Sequence, residues 1–144
     1  MAVAALITWV ITAILGATML RKWVSGGGLA AARADAAGTA EAATSPQAAA
    51  TSFPPGVVFG HFLVVLAGLV LWIIYIVVDN DVLTWVSFAA LIVGAVLGDV
   101  MFLRWRKSRS GPESQLPREL VYVHGGFAVV TIVLVLLTAL GVGS

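Results

Sequence analysis

Three ionisable side chains, His61, Asp99 and His124, stand inside stretches that otherwise carry almost no charge. Such residues are costly in an apolar segment and usually face a protein interior, where they bind, relay protons or pair. Their placement is the informative part. His61 lies about one turn inside the start of the apolar run 57–78, and His124 about one turn inside the start of 120–142. Asp99 lies about one turn before the end of 82–103. At about 1.5 Å rise per residue, with consecutive runs alternating in direction, all three fall near one plane. The two histidine-bearing runs are then parallel, and their imidazoles enter at matching height.

Two imidazoles at one depth on parallel helices fit bis-histidine ligation of one b-type haem, with His61 and His124 as the iron ligands. Asp99 would then orient an imidazole through its second nitrogen, or serve as an alternative ligand. Glycines adjoin both histidines, Gly60 before His61 and Gly125 with Gly126 after His124, and would make room for a flat macrocycle. The same three side chains also suit a directly bound metal or a proton-transport site. A third reading is structural, that of an accessory subunit or assembly factor without cofactor, whose histidines hydrogen-bond across helices.

Periodicity supports inward-facing histidines. The stripe through His61 collects Val65, Gly68, Trp72 and Tyr75, and that through His124 collects Ala128, Thr131, Val135 and Thr138. Thr8, Thr12 and Met19 form a comparable stripe in the first run. The remaining faces are mostly Val, Leu and Ile, which suit lipid. Gly94 and Gly98 form a G-x-x-x-G pair, read here as a close helix contact.

The elements that must position these residues are transmembrane helices. The chain has 144 residues, 60% hydrophobic and 10% charged, with mean hydropathy +1.05. A hydrocarbon core needs roughly 20 apolar residues in a helix. Runs 1–20, 57–78, 82–103 and 120–142 meet that length. The fold class expected is all-α, a single four-helix up-down membrane bundle. The basic residues set an orientation, because Lys and Arg near span ends stay in the cytoplasm. All eight lie in two loops: Arg21, Lys22 and Arg33 in one, and Arg104, Arg106, Lys107, Arg109 and Arg118 in the other. The Asp79-Asn80-Asp81 turn has none. Both termini are therefore expected outside and both long loops in the cytoplasm. Trp23, Trp105 and Tyr122 at one side, and Tyr75 and Trp85 at the other, read as aromatic belts.

Pro54-Pro55 and Pro117 mark helix starts, and Asn80 or Asp81 can cap the third span. The stretch 25–52 is alanine-rich and reads as a flexible tether, with a short helix as the lesser alternative. Basic residues follow the first run rather than precede it, the reverse of a secretory signal, so it is expected to be retained. No cysteine is present, which excludes disulfides and thiolate metal sites. No nucleophilic triad or phosphate-binding loop occurs, so a stand-alone enzyme is not expected. The expected partners are membrane lipids and other membrane subunits or further copies of the chain, with no nucleic acid.

Gly60-His61 with Trp72, and His124-Gly125-Gly126 with Ala128 and Thr131, resemble small actinobacterial four-helix membrane proteins. In outline the chain is also similar to b-type cytochrome membrane subunits. The resemblance covers four spans in architecture and two histidines in sequence. It implies a bacterial cytoplasmic membrane and electron transfer through haem b. A di-haem member of the latter group needs four histidine ligands, and this chain has two.

Overall fold

The computed structural model describes residues 1–37 and 51–142. Four long helices dominate it: α1 (Ala2–Ser25), α3 (Pro55–Val78), α4 (Asp81–Lys107) and α5 (Arg118–Ala139). Each is long and apolar enough to cross a membrane, as a small multi-pass integral membrane protein requires. A shorter α2 (Gly28–Ala37) and a 3-10 turn (Pro112–Gln115) lie in the two long connections. The start of 25–52, read above as a tether, is thus helical; residues 38–50 lie outside the described residues.

Local sequence accounts for the helix ends. Proline occupies the first turn of α3, where its missing N–H costs nothing, and Pro117 precedes α5. Asn80 caps α4, its side chain accepting from the Val82 N–H at 3.0 Å, after Asp79 has ended α3 in the left-handed conformation. At the other side, Gly27 turns the chain at φ 92°, and Gly28 then passes so close to Trp23 that a Cβ would overlap the indole at 2.2 Å. The glycine run there is a steric requirement of folding α2 over that ring.

The bundle consists of two antiparallel pairs. α3 packs most closely on α4, and α1 on α5. Glycine makes the first pair close: a Cβ at Gly94 would lie 2.3 Å from Val65 Cγ1, and one at Gly68 would lie 2.9 Å from Ala90 Cβ. The helix-contact reading of Gly94 is therefore correct. Val, Leu and Ile cover much of the outer surface, as in helices that face lipid.

Two clusters close the space between the pairs. One is centred on Trp9, Leu69, Trp72, Leu91 and Val135. Trp72 is fully buried and donates Nε1–H to the Ala2 carbonyl at 3.2 Å, tying the end of α3 to the start of α1. The other is a cap at the basic end, built from Trp23, Phe53, Val58 and Leu116. Trp23 is 2% exposed, which corrects its assignment to an aromatic belt. It lies under the loops, stacked on Phe53, because α1 continues past the basic residues Arg21 and Lys22.

Candidate functional site

Between the two helix pairs, bounded by Trp9 at one end and the cap at the other, lies a cavity of about 540 Å³. That volume is within the range of about 300–1,000 Å³ typical of small-molecule and cofactor sites. From Trp9 to Trp23 along α1 it extends roughly 21 Å. Its walls are mainly apolar and aromatic, and both histidines are among them.

His61 and His124 come from opposite pairs. His61, on α3, places Nδ1 at 2.7 Å from the Gly94 carbonyl oxygen of α4. His124, on α5, places Nδ1 at 3.0 Å from the Thr12 carbonyl oxygen of α1. Each imidazole is thus anchored within its own pair, with Nδ1–H donating to a backbone oxygen. In the neutral ring that bond sets the Nδ1–H tautomer, which gives Nε2 a lone pair to offer a ligand. Among the described residues neither Nε2 has a hydrogen-bond partner, and neither belongs to the sealed polar atoms, which are Ser52 Oγ, Ser87 Oγ and Glu113 Oε2.

The ring centres are 6.4 Å apart, with 65° between the ring planes. Metal–imidazole bonds run about 2.0–2.1 Å and the ring centre lies about 1.2 Å behind the bonded nitrogen, so about 6.4 Å is the widest separation of centres at which two imidazoles could share one metal.

The carbonyls that anchor the rings sit close to the midpoints of α1 and α4. The imidazole layer is therefore deeper in the bundle than its nearness to the starts of α3 and α5 implies. α1 and α4 run on past the apolar stretches, and the cap stands above the histidines at that end. A backbone carbonyl already bonded within a helix has a second lone pair to offer, so the anchoring carries no cost in helix hydrogen bonds.

Glycine shapes the layer, at positions other than those expected. A Cβ at Gly16 would lie 3.0 Å from His124 Cε1, and one at Gly98 would lie 3.3 Å from His61 Cε1. These two glycines are the notches in which the rings rest. Gly60 meets only Leu97, at 3.7 Å, while Gly125 and Gly126 face open space. Gly125 and Gly126 line the cavity, and Gly60 does not.

Asp99 also lines the cavity, from α4, and is exposed. It has no hydrogen bond to either imidazole; the Gly94 and Thr12 carbonyls hold the positions expected of a carboxylate. Among the described residues no group of three His, Asp or Glu is assembled to hold a metal. The structure therefore brings His61 and His124 together and leaves Asp99 outside their immediate contacts.

Glu113 escaped sequence reasoning. It is fully buried in the cap, where Oε1 accepts from Trp23 Nε1 at 3.1 Å, from the Phe53 N–H at 3.3 Å and from Thr51 Oγ1. One carboxylate thereby joins the end of α1, the approach to α3 and the α4–α5 connection. Its neighbours Pro112 and Ser114 mark a polar loop, and only the indole folded over it gives it a role. In comparisons with known proteins, no family model, no curated protein and no solved structure matched this chain.

Proposed function

We propose that this chain is a small integral membrane haem protein, holding one haem b between His61 and His124 for electron transfer. The observation that carries the reading is the imidazole pair, one from each helix pair, with ring centres 6.4 Å apart across an apolar cavity. The donor set fits the group: two neutral imidazoles with anchored Nδ1, notched in by Gly16 and Gly98, and no cysteine. When bound, haem supplies a one-electron iron couple.

The chain's own residues have distinct tasks in this reading. His61 and His124 would hold the haem iron. The Gly94 and Thr12 carbonyls orient the rings and raise their basicity, as outer hydrogen-bond partners of ligating histidines do. Trp9 and the aromatic cap exclude water from the two ends of the cavity, which tunes an iron potential through local dielectric. We place the protein in a bacterial cytoplasmic membrane, with the basic end in the cytoplasm by the distribution of Lys and Arg.

The test is a reduced-minus-oxidised visible spectrum of protein purified in mild detergent after expression with ample haem. A sharp Soret and α-band at about one haem per chain, lost in His61→Ala and in His124→Ala, is the expected result. A flat spectrum refutes it. A second reading has its own support, because both imidazoles bond across helices to backbone oxygens, as a cofactor-free accessory subunit requires. Under that reading the protein purifies with a larger complex and carries no chromophore. The His61, Asp99 and His124 metal or proton-transport reading has the weakest support, since Asp99 stands apart from the imidazoles.

A further inference from the structure

The cavity is closed at both ends, and its lining reaches the surface along its sides. Toward the far end, Trp9 and Trp72 are buried with ring centres 6.3 Å apart, and Trp72 is fixed by its bond to Ala2. At the basic end, passage would break the hydrogen bonds that converge on buried Glu113 and separate Trp23 from Phe53. Between α4 and α5 there is no such obstacle. Gly125 and Gly126 line the cavity and are exposed, and a Cβ on either would meet no atom within 4 Å. On α4, Asp99 also lines the cavity and is exposed. Toward the basic end, Phe102 against Tyr122, ring centres 5.9 Å apart, closes the same seam.

We propose that this gap is a lateral portal, through which a flat macrocycle of the porphyrin class passes between the bilayer and the histidine layer. The identity of the ligand rests on the haem reading; the route rests on the exposed glycine rim. Gly125 and Gly126 then have a purpose distinct from that of Gly94. Gly94 lets two helices touch, whereas these two leave an exposed rim of the cavity free of side chains. Passage edge-on through the seam breaks none of the described hydrogen bonds, and the ligand meets His61 and His124 directly behind the rim.

Metal-free protoporphyrin IX tests the route without involving iron ligation. Protein in phosphatidylcholine nanodiscs is mixed with vesicles carrying the porphyrin, and uptake is followed by quenching of indole fluorescence. Gly126→Phe should slow uptake and release alike, each by about ten-fold, and leave the amount bound at saturation within about two-fold of wild type. Tyr122→Ala, which removes a ring from the rim, should accelerate both rates, so the proposal does not depend on a bulky variant folding. Wild-type rates in Gly126→Phe and Tyr122→Ala would overturn the portal. So would reduced saturation at unchanged rates, since the new side chain would then be filling the site. Failure of the wild type to take up porphyrin would also overturn it. Porphyrin uptake by a wild type that gives no histidine-ligated spectrum with hemin would instead sink the haem reading and leave the portal standing.

Discussion

The notch at Gly16 gives the sharpest test of how the imidazoles are held. A methyl added there would meet His124 Cε1 at 3.0 Å, a few tenths of an ångström inside ordinary contact. The helix backbone cannot retreat without disturbing the α1–α5 packing, so the ring must move toward the cavity. Its anchoring bond to the Thr12 carbonyl is already 3.0 Å long, and a shift of about 0.5 Å takes it to the edge of hydrogen-bonding distance. Losing that bond costs about 0.5–1.5 kcal/mol. Under the haem reading a ligating ring would be displaced as well, so Gly16→Ala should weaken hemin binding by about 1–2 kcal/mol, roughly five- to thirty-fold in dissociation constant. Gly98→Ala, where the contact with His61 is 3.3 Å, should do less, and Gly125→Ala, with nothing nearby, should do nothing. All three changes replace glycine by alanine within a helix, so the propensity gain is shared and the differences isolate the ring contacts. Hemin titration followed at the Soret band gives the three constants. Equal effects, or a larger effect at Gly125 than at Gly16, would refute the notch.

Three other outcomes follow from the packing. Gly94→Ala should destabilise the bundle by about 1–3 kcal/mol through overlap with Val65 Cγ1, measured by thermal unfolding in detergent, and Val65→Ala in the same chain should restore much of the loss. The absence of rescue would show that the contact is not the cause. Glu113→Ala removes the acceptor shared by Trp23, Thr51 and Phe53 and should cost about 2–4 kcal/mol, with a red shift of Trp23 emission as the cap opens. Trp72→Phe deletes the Nε1–H bond to Ala2 and also removes part of a fully buried ring, so about 2–4 kcal/mol of stability should go while hemin affinity stays at the wild-type value.

The cap and the imidazole layer divide the labour of the molecule. Cap residues hold together three chain segments that run outside the apolar stretches, and Glu113 is the atom-level hub of that arrangement. Among the described residues its Oε2 and the Ser52 hydroxyl are sealed without partners, so there the carboxylate is satisfied on one side only. The layer below depends on none of those bonds. It is held by two backbone carbonyls, each near the middle of a long helix and therefore among the most rigid acceptors available.

The amino-acid sequence determined what depends on period and composition. Four apolar runs of membrane-crossing length are visible because each residue in such a run must be apolar whatever its neighbours. Buried Gly68, Trp72, Thr131 and Val135 lie on the stripes through His61 and His124, since a helix carries its facing along its length every 3.6 residues. Asn80 as a cap and the prolines at helix starts are likewise local. Only the tertiary structure decided what touches what. That His61 answers to Gly94 and His124 to Thr12, that Gly16 and Gly98 hold the rings, and that Gly125 and Gly126 face open space all depend on which helices pair and where they part. Trp23 and Glu113 show the same limit in the loops. They lie 90 residues apart in the chain, and a tryptophan after two basic residues has the pattern of an interfacial anchor until another segment folds over it. Facing is a property of one helix and is written in its period; contact belongs to two, and is settled only when the bundle closes.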